Sequence, residues 1–174
     1  MHMKAMRTFR HNFITKMLSV LIAGLLWCGF AAPQTIQTAE MDVLVVIVHS
    51  ESGRSDIDSR ALQALIRGED SRWEDRVRVK VGLMKTQTPT GRRTANEVYD
   101  MSALELNKYW LGIVFQGKAN TPNFFDSQAA LIEWVAQTKG AIAVATLGEV
   151  EKAGSLVKVL TVEGRSPRDS EYNI

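Results

Sequence analysis

A basic segment without any acidic residue, from Arg76 to Asn96, carries the side chains of this sequence best suited to chemistry. Its cations are Arg76, Arg78, Lys80, Lys85, Arg92 and Arg93. Within it, the run TPTGRRT leads from a loop into a helix. Main-chain amides at a helix start, threonine hydroxyls and a guanidinium group are donors that hold an anion. The run, residues 88–94, therefore predicts a small-anion site.

A purely structural interpretation of the same segment remains open. In that interpretation the cations form the solvated face of a strand, and Pro89 with Gly91 forms a turn. Arg92 and Arg93 are neighbours in sequence, so on a helix their side chains point about 100° apart. Only one of the two is therefore expected to face a ligand.

Catalytic and metal-binding patterns are absent from the sequence. The single cysteine is Cys28, and His49 is the only histidine after residue 31. A chain that loses its first 31 residues has neither a Cys–His nucleophile pair nor a two-histidine metal site. No phosphate-binding P-loop or dinucleotide fingerprint is present. We therefore expect no enzyme, no cofactor and no metal, with His49 as an exposed residue at a strand end.

The first 31 residues have the composition of an export signal. Four basic residues precede a mostly apolar run from Met17 to Phe30, and no acid occurs before Glu40. A membrane-spanning helix needs about 20 apolar residues, so the run favours a cleavable signal over an uncleaved anchor. We predict cleavage near Ala31, followed by a flexible leader over residues 32–40. Contact with a membrane is then expected only before cleavage.

Charge and length limit what the remaining chain is. Removing residues 1–31 takes four of the 21 basic residues and none of the 19 acidic ones, which leaves 17 against 19. The formal charge of +2 therefore becomes −2, and a nucleic-acid partner is not expected. The rest is long enough for one domain. We assign this domain to residues 41–163 and expect a frayed C-terminal tail over residues 164–174.

Strand and helix patterns alternate along this domain. Asp42–Val48 is a continuous run rich in β-branched residues, which predicts a strand buried on both faces. A helix capped by Asp56 or Asp58 follows and stops at Gly68. The alternation of Val77, Val79 and Val81 with basic residues predicts a strand with one solvated face. Residues 85–91 are then expected to be a loop, and residues 92–99 a short helix.

The second half continues the alternation. Ser102 and Glu105 match a capping box, which opens a helix that ends at Gly117. Asp126 or Ser127 caps another helix, which ends over residues 138–140. Residues 141–145 and 156–162 have the apolar character of strands. Strands alternating with helices indicate an α/β domain.

The order and spacing of several short motifs resemble a known family over roughly residues 42–147. The motifs are LQALIRG, a tryptophan in the following loop, YWLGIVFQGKANTP and GAIAVA. They resemble the phosphate-binding-protein-like family, short exported relatives of the solute-binding subunit of phosphate ABC transporters. The matching positions are Leu62, Ile66, Gly68, Trp73, Tyr109, Trp110, Phe115, Gly117, Pro122, Gly140, Ala141 and Ile142.

This resemblance implies a fold, a location and a ligand. The implied fold is one lobe of a type II periplasmic-binding-protein-like fold, a mixed sheet flanked by helices. The implied location is the periplasm, while the signal alone leaves full secretion open as well. The implied function is a non-enzymatic solute-binding-like protein that holds phosphate or another small anion. The resemblance implies a ligand site at the family's Gly-Ser-Gly-Thr type loop, whose place is taken here by Thr90, Gly91, Arg92, Arg93 and Thr94. Gly91 and Thr94 match the character of that loop, and its serine–glycine core is replaced. Full-length relatives have two lobes, so tight binding would require a second lobe.

The alternative function is a ligand-free interaction module. Such a module would act as an extracytoplasmic partner of a sensor or of an envelope complex. It is motivated by the altered ligand loop and by an aromatic set, within which the pair Phe124 and Phe125 is expected to be the most exposed. The set comprises Tyr109, Trp110, Phe124, Phe125 and Trp134.

Overall fold

A five-stranded mixed sheet forms the centre of the protein, in a computed structural model that describes residues 42–174. The predicted signal (1–31) and leader (32–40) lie outside the described residues. The strands are β1 (Leu44–His49), β2 (Asp56–Ile57), β3 (Lys80–Met84), β4 (Asn123–Phe125), β5 (Ala141–Thr146), β6 (Val157–Val159) and β7 (Thr161–Val162). The large sheet has the order β4-β3-β5-β1-β6, and β2 pairs with β7 separately.

Strand direction divides the large sheet into two parts. β3 runs parallel to both β4 and β5. β1 runs antiparallel to β5, with Leu44 opposite Thr146, and antiparallel to β6. The carboxyl ends of β3, β4 and β5 therefore lie at the same edge of the sheet as the start of β1.

In the part of the chain that the structure describes, five α-helices flank the sheet. They are α1 (Ser59–Ile66), α2 (Pro89–Arg93), α3 (Ala103–Phe115), α4 (Gln128–Gln137) and α5 (Leu147–Ala153). A π-helical turn (Thr94–Val98) continues α2, and a 3₁₀ turn (Gly154–Leu156) follows α5. Within residues 42–174, no helix is both long and apolar enough to cross a bilayer.

Two apolar layers cover the two faces of the sheet. On one face, Val46 and Val48 pack in a cluster with Leu62 of α1 and Trp110 of α3. On the other face, Val45 and Ile47 share a cluster with residues of α4 and α5, among them Leu131, Val135 and Val150. β1 therefore buries side chains on both faces, as its β-branched run predicts.

Most predicted elements are present. Asp58 caps α1 by accepting a hydrogen bond from the Ala61 amide (2.8 Å). The capping box of Ser102 and Glu105 opens α3, and Ser127 caps α4. These three helices therefore begin where the capping signals of the sequence predict.

The strand predicted from Val77, Val79 and Val81 begins later than the alternation indicates. β3 starts at Lys80, because the main chain of the residues before it is hydrogen-bonded across a turn within residues 71–79. The Trp73 amide donates to the Val77 carbonyl (2.8 Å), and the Val79 amide donates to the Ser71 carbonyl (3.0 Å).

The loop predicted over residues 85–91 ends early, because a helix begins at Pro89 rather than at Arg92. Its N-cap is Thr88, and proline occupies the first helical position, which suits a residue without an amide hydrogen.

The C-terminal residues 164–174 contact the domain rather than leaving it. Tyr172 packs against both apolar clusters, and Ile174 packs against the cluster that contains Trp110. Ion pairs join Arg165 to Glu171 (3.1 Å) and Arg168 to Glu151 (2.9 Å). The predicted tail is therefore a packed segment.

Candidate anion site at the carboxyl edge of the sheet

Three helices begin at the edge of the sheet where the parallel strands end. α2 follows β3, α4 follows β4 and α5 follows β5. Binding sites of α/β proteins lie outside the carboxyl ends of strands, where loops and helix starts meet. The predicted site, which includes the start of α2, lies at this carboxyl edge.

Thr88 closes the start of α2. Its hydroxyl accepts a hydrogen bond from the Gly91 amide (3.0 Å) and donates one to the Lys85 carbonyl (2.8 Å). The Arg92 amide donates to the Thr88 carbonyl (3.1 Å). Two of the amides that the sequence assigns to an anion are thus bonded within the chain.

Gly91 is required by a close approach of α2 to β3. A Cβ added there would lie 2.1 Å from the Lys85 carbonyl oxygen and 2.8 Å from the Met84 carbonyl oxygen. Real Cβ atoms do not tolerate such distances to main chain. Gly91 therefore positions the helix start directly against the end of β3.

The two arginines point to different places, as their adjacency predicts. Arg92 is exposed, and its guanidinium donates to the Gln87 carbonyl (2.7 Å), beside the helix start. Arg93 forms a two-point ion pair with Glu97 (2.8 and 3.0 Å) and donates to the Asp42 carbonyl (2.7 Å). Arg92 is therefore the cation nearer to the loop, while Arg93 is engaged elsewhere.

The two threonines of the predicted site are interior residues. Thr90 and Thr94 are 9% and 2% exposed. The Thr94 hydroxyl has no hydrogen-bond partner among the described atoms. Neither side chain has the exposure that direct contact with a solvent-borne anion requires, so they support α2 from inside.

Lys85 and Asp126 form an ion pair that the sequence patterns do not predict. β3 and β4 are parallel, and Met84 pairs with Phe125. The residues that follow, Lys85 and Asp126, are therefore adjacent, and their charged atoms lie 2.8 Å apart. Both side chains are substantially exposed, at 44% and 79%. The missed signal is the polar residue that directly follows each parallel strand.

The other two helix starts at this edge are also occupied by side chains of the protein. The Gly148 amide near the start of α5 donates to both Asp42 carboxylate oxygens (3.1 and 2.9 Å). Ser127 accepts a hydrogen bond from the Ala130 amide in the first turn of α4 (3.3 Å). Asp42 supplies the negative charge that the positive end of a helix favours.

His49 lies at the opposite edge, because β1 runs antiparallel to β3 and β5. It lines a cleft of about 70 Å³ with Arg54 and Trp73, among others. The Arg54 guanidinium lies 4.5 Å from the centre of the Trp73 ring and forms an ion pair with the Asp75 carboxylate at 3.4 Å. The pKa of Asp75 is lowered by the Val77 amide and then by Arg54. The volume of the cleft beside His49, about 70 Å³, is well below the ~300–1,000 Å³ of small-molecule sites.

The aromatic set is mostly internal. Trp110 is 3% exposed, and the Tyr109 hydroxyl donates to the Arg67 carbonyl (2.7 Å). The Phe125 ring packs against the Trp134 ring at a tilt of 47°, with ring centres 5.4 Å apart, whereas Phe124 is 41% exposed. From residue 42 onward, no group of three or more metal-ligating side chains could hold an ion.

No model of a protein family matches the sequence, and no curated protein matches it. Solved structures match its fold. An ABC-type phosphate transport receptor from Vibrio cholerae has a TM-score of 0.57 and 15% identity, over 72% of this chain and 49% of its own. PstS from Borrelia burgdorferi has a TM-score of 0.56 and 17% identity, over the same 72% and 49%. A substrate-binding protein with bound phosphate from Clostridium perfringens has a TM-score of 0.55 and 15% identity, over 72% and 47%.

These matches define the class of fold. The chain has the α/β architecture of one lobe of a type II periplasmic-binding-protein-like fold, as its motifs predict. The resemblance to phosphate ABC transporter substrate-binding proteins is confirmed at the level of the fold. The chain spans about half the length of the structures that it matches.

Proposed function

We propose that the chain is a non-enzymatic solute-binding-like protein that holds a small oxyanion weakly, phosphate being the first candidate. Its fold is shared with phosphate transport receptors, which supports a solute-binding-like role. The observation that carries the proposal is the position of the exposed Arg92 guanidinium beside the capped start of α2, at the carboxyl edge of the sheet.

In this proposal the five predicted residues have different roles. Arg92 contacts the anion and neutralises it, and Lys85 contributes a second cation at the same edge. Thr90, Gly91 and Thr94 hold α2 against β3, and Arg93 anchors α2 to Asp42. The anion therefore meets side-chain cations rather than a cradle of free amides.

The affinity is expected to be low. To reach the anion, Arg92 must leave the Gln87 carbonyl and Lys85 must share its charge with Asp126. A charge near a helix start contributes about 0.3–1 kcal/mol, and an exposed ion pair about 0–1 kcal/mol. One helix start and two ion pairs sum to at most ~3 kcal/mol, which corresponds to a dissociation constant of several millimolar or more and falls far short of the ~8 kcal/mol of a micromolar complex.

An NMR titration of the domain with phosphate tests this proposal, with sodium chloride at matched ionic strength as the reference. We expect saturable amide shifts over residues 85–92 in the millimolar range. Arg92→Gln should abolish the saturable shifts, while the neighbouring Arg93→Gln should retain them. Shifts that chloride reproduces, or that survive Arg92→Gln, would contradict the proposal.

We also propose that the protein is exported and periplasmic, through a signal in residues 1–31. The basic and then apolar composition of that segment supports the proposal. Cell fractionation with mass spectrometry of the N-terminus tests it. Recovery from the periplasm with a start near residue 32 is expected, and an intact chain in the cytosol would refute it.

The second candidate is the ligand-free interaction module that serves a sensor or an envelope complex. The bonded amides of Gly91 and Arg92 and the engaged Arg93 favour it, because they leave few donors for a ligand. Affinity capture from an envelope extract, with an Arg92→Gln variant beside the parent, distinguishes the two. A partner retained equally by both proteins, together with no phosphate response, would favour the module.

A further inference from the structure

A pocket of about 220 Å³ opens beside the first residues of β3, at the opposite end of this strand from the candidate anion site. Leu65 and Trp110 line it and form an apolar floor. Both residues are buried, at 5% and 3% exposure, so core packing holds the floor in place. The volume equals that of about seven water molecules in the liquid, which suits a ligand of roughly seven non-hydrogen atoms. We name it the edge pocket.

The edge pocket occupies a gap in the strand pairing along one side of β3. β4 pairs with residues 82–84 alone. Before the gap, the Val79 amide donates to the Ser71 carbonyl on the same side (3.0 Å). Amides two residues apart on extended chain point the same way, so the Val81 amide faces the gap. No hydrogen bond among the residues that the structure describes uses the Val81 amide, which leaves it as a donor for a ligand.

Two cations border the edge pocket on the other face of the strand. The Val79 and Val81 side chains belong to the cluster that contains Trp110, so the alternating Arg78 and Lys80 point to the opposite face. Both cations are exposed, and neither is a member of the ion pairs found in residues 42–174. A ligand in the gap therefore meets apolar side chains on one side, a main-chain amide in the middle and positive charge on the other side.

One acidic residue, Asp70, also borders the edge pocket. It is exposed and borders two neighbouring depressions of the surface as well, so it lies at the rim. Water screens a charge in that position. The two cations thus outweigh the single acid, and the charge of the border favours an anion.

We propose that the edge pocket binds a small carboxylate that carries a short branched apolar group, with isovalerate as the simplest example. The branched group packs on Leu65 and Trp110. The carboxylate accepts hydrogen bonds from the Arg78 and Lys80 side chains and from the Val81 amide, and such charge-assisted bonds are the strong ones. A partner strand does not fit this gap, because strand addition requires a row of free main-chain groups and the gap presents one amide.

An NMR titration of the purified full chain with isovalerate tests the proposal, with sodium chloride at matched ionic strength as the reference. We expect saturable shifts of the Val81 amide and the Trp110 indole N–H in the millimolar range. The proposed phosphate site is followed through other amides, those of residues 85–92, so each proposal can fail without the other. Isoamyl alcohol lacks the carboxylate and acetate lacks the branched group, and each should bind at least fivefold more weakly than isovalerate.

Charge variants at exposed positions identify the groups that hold the carboxylate. Arg78→Gln and Lys80→Gln should each weaken isovalerate binding at least threefold. Lys139→Gln removes an exposed cation that borders the His49 cleft instead, and it should change the dissociation constant less than twofold. Asp70→Asn should bind isovalerate at least as tightly as the parent.

The unshifted remainder of each spectrum shows whether a variant is folded. Absence of saturable shifts at Val81 and Trp110, shifts that chloride or acetate reproduces, or parental affinity in both glutamine variants of the pocket would overturn the proposal. Weaker binding by Asp70→Asn would also overturn it, because the acid would then hold the ligand.

Discussion

The contact between Gly91 and the end of β3 allows a sharp prediction for Gly91→Ala. The added methyl group would lie 2.1 Å from the Lys85 carbonyl oxygen, 2.7 Å from its carbon and 2.8 Å from the Met84 oxygen. All three are main-chain atoms, and the Lys85 amide is held by the Phe125 carbonyl at 2.9 Å. Overpacking costs about 1–3 kcal/mol, with main-chain clashes at the upper end. Alanine recovers about 1 kcal/mol of helix propensity.

We therefore expect Gly91→Ala to lower the free energy of unfolding by about 2 kcal/mol. Urea unfolding of the parent and variant chains measures the change. With a slope of ~2 kcal/mol/M, the midpoint should fall by about 1 M.

Gly112→Ala is the matched control, since the same exchange in α3 meets nothing within 4 Å. It should raise the free energy of unfolding by ~0.5–1 kcal/mol at micromolar protein concentration. A Gly91→Ala variant as stable as the parent would refute the close approach of α2 to β3.

Three further predictions concern the rest of the fold. Tyr99→Phe should lower the free energy of unfolding by ~1 kcal/mol, because the buried Tyr99 hydroxyl donates to the Ile66 carbonyl (2.7 Å). Burial also raises the pKa of Tyr99 above its usual value. The stabilisation of the folded state by the protonated Tyr99 hydroxyl is therefore complete below about pH 10 and is lost as the pH rises further. The phenylalanine variant should show a smaller alkaline loss in circular dichroism melts between pH 8 and 11, and an unchanged loss would contradict this. Asp58→Ala should cost ~1 kcal/mol through loss of the α1 cap, measured by urea unfolding, whereas equal stability would argue against the cap. Arg54→Ala should cost ~0.5–1 kcal/mol and change tryptophan fluorescence through Trp73, and an unaltered spectrum would count against the stacked geometry.

Local sequence signals predict most elements of this fold. The β-branched run of β1, the caps Asp58 and Ser127 and the capping box of Ser102 and Glu105 each act within a few residues, and each is found in the structure. The start of α2 was predictable by the same logic. A threonine followed by proline is a helix-start signal. Thr88 and Pro89 carry this signal, whereas the loop predicted up to Gly91 places the helix start too late.

The composition of the candidate site was predictable only in part. The 90–94 segment does begin a helix near the carboxyl edge of the sheet, where a ligand site is expected. The hydrogen bonds of its main-chain amides are made with Thr88. Those of its arginine side chains are made with Gln87, Glu97 and Asp42. Asp42 lies 51 residues from Arg93, a distance that no local pattern spans.

Strand direction is the other feature that local patterns do not contain. A run such as β1 has the same apolar profile whether it is parallel or antiparallel to its neighbours. Its antiparallel course moves His49 to the far edge and brings Asp42 to the carboxyl edge. The pairing of β3 with β4 likewise unites Lys85 with Asp126 across 41 residues.

The closed helix starts at the carboxyl edge have a consequence for how an empty domain behaves. Thr88, Ser127 and Asp42 supply from within the chain what a bound ion would otherwise supply. Ligand at a concentration equal to its dissociation constant adds only about 0.4 kcal/mol to stability. If the proposed anion binds, the lobe therefore keeps the same folded state at low and at high ligand concentration, and binding changes its occupancy without driving its folding.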